Sequence, residues 1–123
     1  EYANINGKKI LVGEDDYNSY YFIKVLLKNF QIDLKHAVNG KQVVEMTRDF
    51  MPDLVLLDLS LPEKSGLECF GEIKDISNDI KIIAQTAYAS EDDRYKCMAL
   101  GFDEFIKKPI KRTDFYKIIN GVL

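Results

Sequence analysis

The sequence predicts an α/β protein in which a parallel sheet lies between two layers of helices. Three observations carry that prediction. Short apolar runs alternate with stretches of helical periodicity along nearly the whole chain. One run, residues 53–58, is aliphatic at every position between two aspartates, the pattern of a strand buried on both faces. Turn-forming residues such as Asn39-Gly40, Pro62 and Gly101 mark the junctions. Repeated strand-helix alternation feeds a parallel sheet through right-handed crossovers.

Taken in order, residues 8–13 form the first strand, and Ile23, Leu26, Leu27 and Phe30 then fall at offsets of one helical face. Residues 34–38 are the second strand. After the Asn39-Gly40 break, Val43, Met46 and Phe50 share a face of the second helix. The third strand ends at Asp58, and the helix after Gly66 buries Phe70 and Ile73. Residues 80–84 form the fourth strand, Glu91–Leu100 a helix ended by Gly101, and residues 104–106 a short fifth strand. Phe115, Ile118, Ile119 and Val122 give the closing helix its apolar face.

Composition narrows the function classes. A chain of 123 residues can bury roughly two-thirds of its unfolded surface, enough for one core without staples. With 46% hydrophobic and 30% charged residues it is globular in type. A net charge of −3 leaves no basic face to neutralise a row of phosphates, so direct nucleic-acid binding is not expected. The apolar runs are too short for a membrane span, so a cytoplasmic domain without membrane contact is expected. Cys69 and Cys97 fall in helical stretches without metal-type spacing and are expected to be buried, reduced thiols. Residues 1–7 lack periodicity and begin without Met, so they are expected to be a linker remnant of a longer polypeptide, with the folded domain over 8–123.

In a parallel sheet the C-terminal ends of the strands share one edge, where open α/β folds bind ligands. The first strand delivers Glu14, Asp15 and Asp16 to that edge, the third Asp58, the fourth Thr86 and the fifth Lys108. Each has an ordinary reading alone: Asp58 and Thr86 as turn residues, Asp16 as the cap of the first helix, Lys108 as one of 17 Lys and Arg. Their joint placement is what those readings leave unexplained. Clustered carboxylates suit a hard divalent cation that keeps some waters, as Mg²⁺ does. Lys108 and Thr86 add a positive charge and a hydroxyl for phosphoryl oxygens. The first strand is not followed by a glycine-rich turn, which counts against a flavin- or nucleotide-binding module.

Residues 10–15 (ILVGED), residues 56–62 (LLDLSLP), Thr86-Ala87 and Lys108-Pro109 together resemble the receiver domain of two-component response regulators, over essentially the full chain. The resemblance implies a flavodoxin-like three-layer sandwich, with a five-stranded parallel sheet of order 2-1-3-4-5 and five helices. It implies that Asp58 accepts a phosphoryl group from a sensor histidine kinase or phosphotransfer protein. Mg²⁺ would be held by Glu14, Asp15, Asp58 and the backbone carbonyl of Ser60, with Glu14 acting mostly through water. Thr86 and Lys108 would stabilise the phosphoryl group, Thr86 and Phe105 form the switch, and Ser60 and Tyr88 tune hydrolysis. Tyr88 is bulky and is expected to hinder the attacking water. A cis Lys108-Pro109 bond belongs to the same expectation.

Such a domain is a bacterial signalling switch rather than an enzyme, catalysing only its own phosphorylation and dephosphorylation. The resemblance allows a dimer through the fourth helix, fifth strand and fifth helix. Residues 82–89 look more like receivers fused behind a hybrid sensor histidine kinase, a parent that can be membrane-anchored. Leu61-Pro62-Glu63-Lys64-Ser65-Gly66 departs from the common Met-Pro and Asp-Gly pattern, but Pro62 and Gly66 keep the turn. The rival is a haloacid-dehalogenase-like Mg²⁺-dependent phosphohydrolase, which needs a second Asp two residues after the nucleophile. Ser60 stands there. His36 lies on the second strand and reads as an ordinary strand residue rather than a phosphohistidine.

Overall fold

The computed structural model describes residues 5–87 and 90–123. Strands and helices alternate as β1 (Lys9–Gly13), α1 (Tyr17–Leu27), β2 (Asp33–Ala37), α2 (Gly40–Phe50), β3 (Leu54–Asp58), α3 (Gly66–Ile76), β4 (Lys81–Thr86), α4 (Glu91–Leu100), β5 (Glu104–Lys107) and α5 (Arg112–Val122). The five strands are all parallel, in the order β2-β1-β3-β4-β5. Order and class are those expected. No helix among the described residues is long and apolar enough to cross a membrane.

Successive strand residues point to opposite faces, so the sheet divides the core in two. Leu11, Val55, Leu57, Ile82 and Ala84 meet Val43 of α2, Cys69 and Ile73 of α3 and Cys97 of α4 on one face. On the other, Ile10, Val12, Leu54, Leu56 and Ile83 meet Ile23, Leu26 and Leu27 of α1 and Phe115 and Ile119 of α5. Every residue of β3 is buried, which explains its unbroken aliphatic run. Both cysteines are free and buried.

Helix starts follow side-chain chemistry. Asp16 caps α1 by accepting from Ser19 N, and Asn39 caps α2 by accepting from Gln42 N. Ser65 with Glu68 and Ser90 with Asp93 form reciprocal capping boxes at α3 and α4. The ordinary reading of Asp16 therefore holds. Gly101 ends α4 at φ +112, a conformation that favours glycine.

Several boundaries differ from expectation. β2 runs one residue earlier than residues 34–38, because its pairing with β1 starts at Lys9↔Asp33 and ends at Gly13↔Ala37. α1 stops at Leu27, where Lys28 N turns back to Val25 O, and Phe30 reaches the core from the following turn through an edge contact with Tyr116. β4 continues to Thr86 and β5 to Lys107. Ile5, inside the segment expected as linker, is only 2% exposed and joins the α1/α5 core. Asn6 and Gly7 each bond Gln31, through Gln31 N to Asn6 Oδ1 at 2.8 Å and Gly7 N to Gln31 O at 2.6 Å. Residues 5–7 thus pack onto the domain, since burying Ile5 outweighs leaving it in water.

Candidate functional site

Parallel pairing brings the C-terminal ends of β1, β3, β4 and β5 to one edge, and the expected residues meet there. Glu14 follows β1 with its backbone N–H on Ala37 O at 2.9 Å, and its side chain is fully buried. Asp58, the last residue of β3, is 5% exposed. Lys108 follows β5, and its ammonium bridges the two acids, 2.5 Å from Glu14 Oε1 and 2.7 Å from Asp58 Oδ2. The remaining carboxylate oxygens face backbone donors: Ser60 N donates to Asp58 Oδ1 at 2.8 Å, and Asp16 N to Glu14 Oε2 at 3.1 Å.

This satisfaction is what permits two acids beside one another in a nearly dry setting. Burial pushes the Glu14 carboxyl above its ordinary range, against the opposing hydrogen bond from Lys108. For Lys108, burial pulls the other way, but the hydrogen bonds it donates to Asp58 and Glu14 prevail and keep the ammonium charged. The lysine is the fixed charge of the trio.

Asp15 is exposed at the rim. One carboxylate oxygen from each of Glu14, Asp15 and Asp58 lies within 4.8 Å of the others. An all-oxygen donor set of this charge, half open to water, fits a hard divalent cation such as Mg²⁺. Ser60 is exposed directly beyond, and the rival's second acid is absent from that position.

Thr86 closes β4 and is buried beside this centre, with its carbonyl accepting from Lys108 N at 2.8 Å. Phe105 lies inside the α2/α3/α4 core with Ala84, Cys97 and Phe102. The ring expected to take part in the switch is therefore already inside. Tyr88 lies outside the described residues. The Lys108-Pro109 bond is cis, as the resemblance implied. Gly66 allows α3 to start against β3: a Cβ there would come 2.7 Å from Asp58 O.

His36 is on β2, as expected, but its contacts beside the site, and Gln85, were not read from the sequence. His36 Nε2 lies 2.7 Å from Glu14 O, and its ring stacks on Tyr20 with centroids 3.8 Å apart and planes 4° apart. Gln85, opposite Asp58 in the β3/β4 register, is fully buried and neither amide atom finds a partner among the described residues. A strand residue's cross-strand neighbour depends on register, which the linear pattern does not display.

A flavodoxin-like sheet with an acid cluster and one lysine at its C-terminal edge defines a phosphoryl-handling signalling domain rather than a nucleotide binder. Residues 10–120 match the response regulator receiver domain, and the chain belongs to that family, a receiver of two-component signalling. The chemotaxis protein CheY of Halobacterium salinarum is 31% identical over 114 residues, spanning 93% of this chain and 94% of its own length. Hybrid signal transduction histidine kinase I of Dictyostelium discoideum is 34% identical over 122 residues, 92% of this chain but only 7% of the kinase. Among solved structures, the receiver domain of a Pseudomonas aeruginosa sensor histidine kinase, with a magnesium ion coordinated in its active-site cleft, superposes with a TM-score of 0.83 at 29% identity, over 94% of this chain and 97% of that one. The phosphohydrolase alternative finds no support.

Proposed function

We propose that Asp58 is the phosphoacceptor of this receiver and that Glu14, Asp15, Asp58 and the Ser60 carbonyl hold Mg²⁺ beside it. One observation carries the reading. Asp58 ends the central strand with one oxygen on a backbone N–H and the other on Lys108, next to two further carboxylates. Bound Mg²⁺ supplies charge neutralisation for a loose phosphoryl-transfer transition state. The Asp58 carboxylate attacks phosphorus, its new O–P bond forming as the N–P bond of a phosphohistidine breaks, and the N–P electron pair leaves on a neutral imidazole whose other nitrogen carries the proton. Lys108, already positioned and charged, offsets the new negative charge, and the Thr86 hydroxyl bonds a phosphoryl oxygen.

Phosphorylation shifts an existing equilibrium in which Thr86 and Phe105 adjust together, changing the α4-β5-α5 surface for a partner or a second copy. Ser60 and Tyr88 set phosphoryl lifetime. The donor is a sensor histidine kinase or a phosphotransfer protein. The similarity to hybrid kinases, and the free buried thiols, support a cytoplasmic receiver carried by a hybrid kinase.

The test uses acetyl phosphate with and without Mg²⁺, read by intact mass. Wild type gains one phosphoryl group only with Mg²⁺, and Asp58→Asn gains none. Equal labelling of both overturns the assignment.

A further inference from the structure

We propose that His36 is a positioning residue for the acidic loop, holding the Glu14–Asp15 peptide so that Asp15 is presented to the cation. The inference rests on the Mg²⁺ reading above. A carbonyl oxygen only accepts, so at 2.7 Å from Glu14 O the His36 Nε2 carries the hydrogen and donates it. The peptide is planar, so fixing that oxygen fixes the plane through to the Asp15 Cα. The other end of Glu14 is already fixed by its N–H on Ala37 O. Two adjacent β2 residues, His36 and Ala37, therefore clamp both peptide groups of Glu14.

His36 is in turn held by the parallel stack on Tyr20, a buried residue of α1. Asp16, which caps α1, donates its backbone N–H to Glu14 Oε2. The ring thus closes a loop of contacts from β2 through the acidic turn to α1 and back. Asp15 is exposed at the rim, and its backbone direction is set by this clamp. An imidazole that only filled space beneath Tyr20 has no need of a short hydrogen bond to the metal-site backbone.

The experiment separates the bond from the stack in the full chain. His36→Phe keeps an aromatic ring against Tyr20 and removes the donor, whereas His36→Gln keeps a donor and removes the ring. Mg²⁺ affinity is measured by calorimetry and thermal stability without Mg²⁺. His36→Phe should weaken Mg²⁺ binding about three- to tenfold, the scale of one hydrogen bond, while melting near wild type. His36→Gln should bind Mg²⁺ close to wild type and melt lower. Because His36 is the sole histidine, its ring proton signals in the wild type should shift on Mg²⁺ addition. Wild-type affinity in His36→Phe, or affinity that tracks melting temperature in both variants, overturns the proposal. A wild type that binds no Mg²⁺ overturns the metal reading and takes this inference with it.

Discussion

Helices α3 and α4 begin alike and are held differently. Each opens with a serine whose side chain and an acid three residues on form a capping box. α3 then buries Gly66, Cys69 and Ile73, and its Cys69 Sγ reaches Gly40 O of α2. α4 buries only Cys97, while Tyr95 is 77% exposed and Leu100 57%. A helix that is polar nearly all round draws little from the core, so its ends matter more. What fixes α4 is its cap, Gly101, the pair Arg94–Glu104 and the Phe102 ring stacked on Phe70 at 4.4 Å. The contrast places the less buried helix next in the chain after Thr86 and the more buried one next after Asp58. The residue proposed to carry the phosphoryl group stands on the rigid side, and the surface proposed to change stands on the loose side.

Replacing each helix's core anchor tests that contrast most severely. Ile73→Ala should cost about 2–5 kcal/mol by denaturant unfolding, whereas Cys97→Ala should cost about 1 kcal/mol. Comparable losses would remove the distinction. Native-state hydrogen exchange is a finer probe: α4 amides should open about 2 kcal/mol or more below those of α3, which follow global unfolding. Next come the caps, each worth about 1 kcal/mol to its helix. Ser65→Ala should lower global stability, and Ser90→Ala should appear chiefly as faster exchange within α4.

The smallest effect is that of acid. Backbone N–H groups of Ser65 and Ser90 hold the carboxyls of Glu68 and Asp93 below their ordinary values of 4.5 and 3.8. A depressed folded value means that the contribution is present above those ordinary values and fades as pH falls through the lower folded ones. Glu68 is exposed and Asp93 half-buried at the surface, so screening keeps the effect slight. Acidification should loosen α4 by exchange more than α3, and equal loosening would count against the comparison.

The sequence made the central features legible because they were written in local chemistry. Residues 53–58 declared a doubly buried strand, Gly101 a helix end, and the strand-terminal Glu14, Asp15, Asp58, Thr86 and Lys108 a shared edge. Edges set by pairing were less visible. The ends of β2 depend on its register with β1, and its exposed, half-buried alternation gives a weaker signal than β3. Phe30 kept helical spacing after the helix had ended, because a turn can also deliver a side chain to the core. Ile5 showed no periodicity, since a single residue packing from an irregular segment has none to show. The His36 contact and the orphaned amide of Gln85 arise from neighbours distant in sequence.

The ammonium of Lys108, enclosed between Glu14 and Asp58, also has a consequence for ionic strength. Ions in solution screen charges over about 8 Å at physiological salt, but they act on groups that water reaches. Glu14, Asp58 and Lys108 offset one another's charges in part, largely out of its reach, whereas Arg94 of α4 and Glu104 of β5 pair nearer the surface, with side chains 48% and 26% exposed. Added salt therefore leaves the assembled carboxylate centre as it is while loosening the tether between α4 and β5. The same chain holds one electrostatic contact indifferent to its medium and another that responds to it.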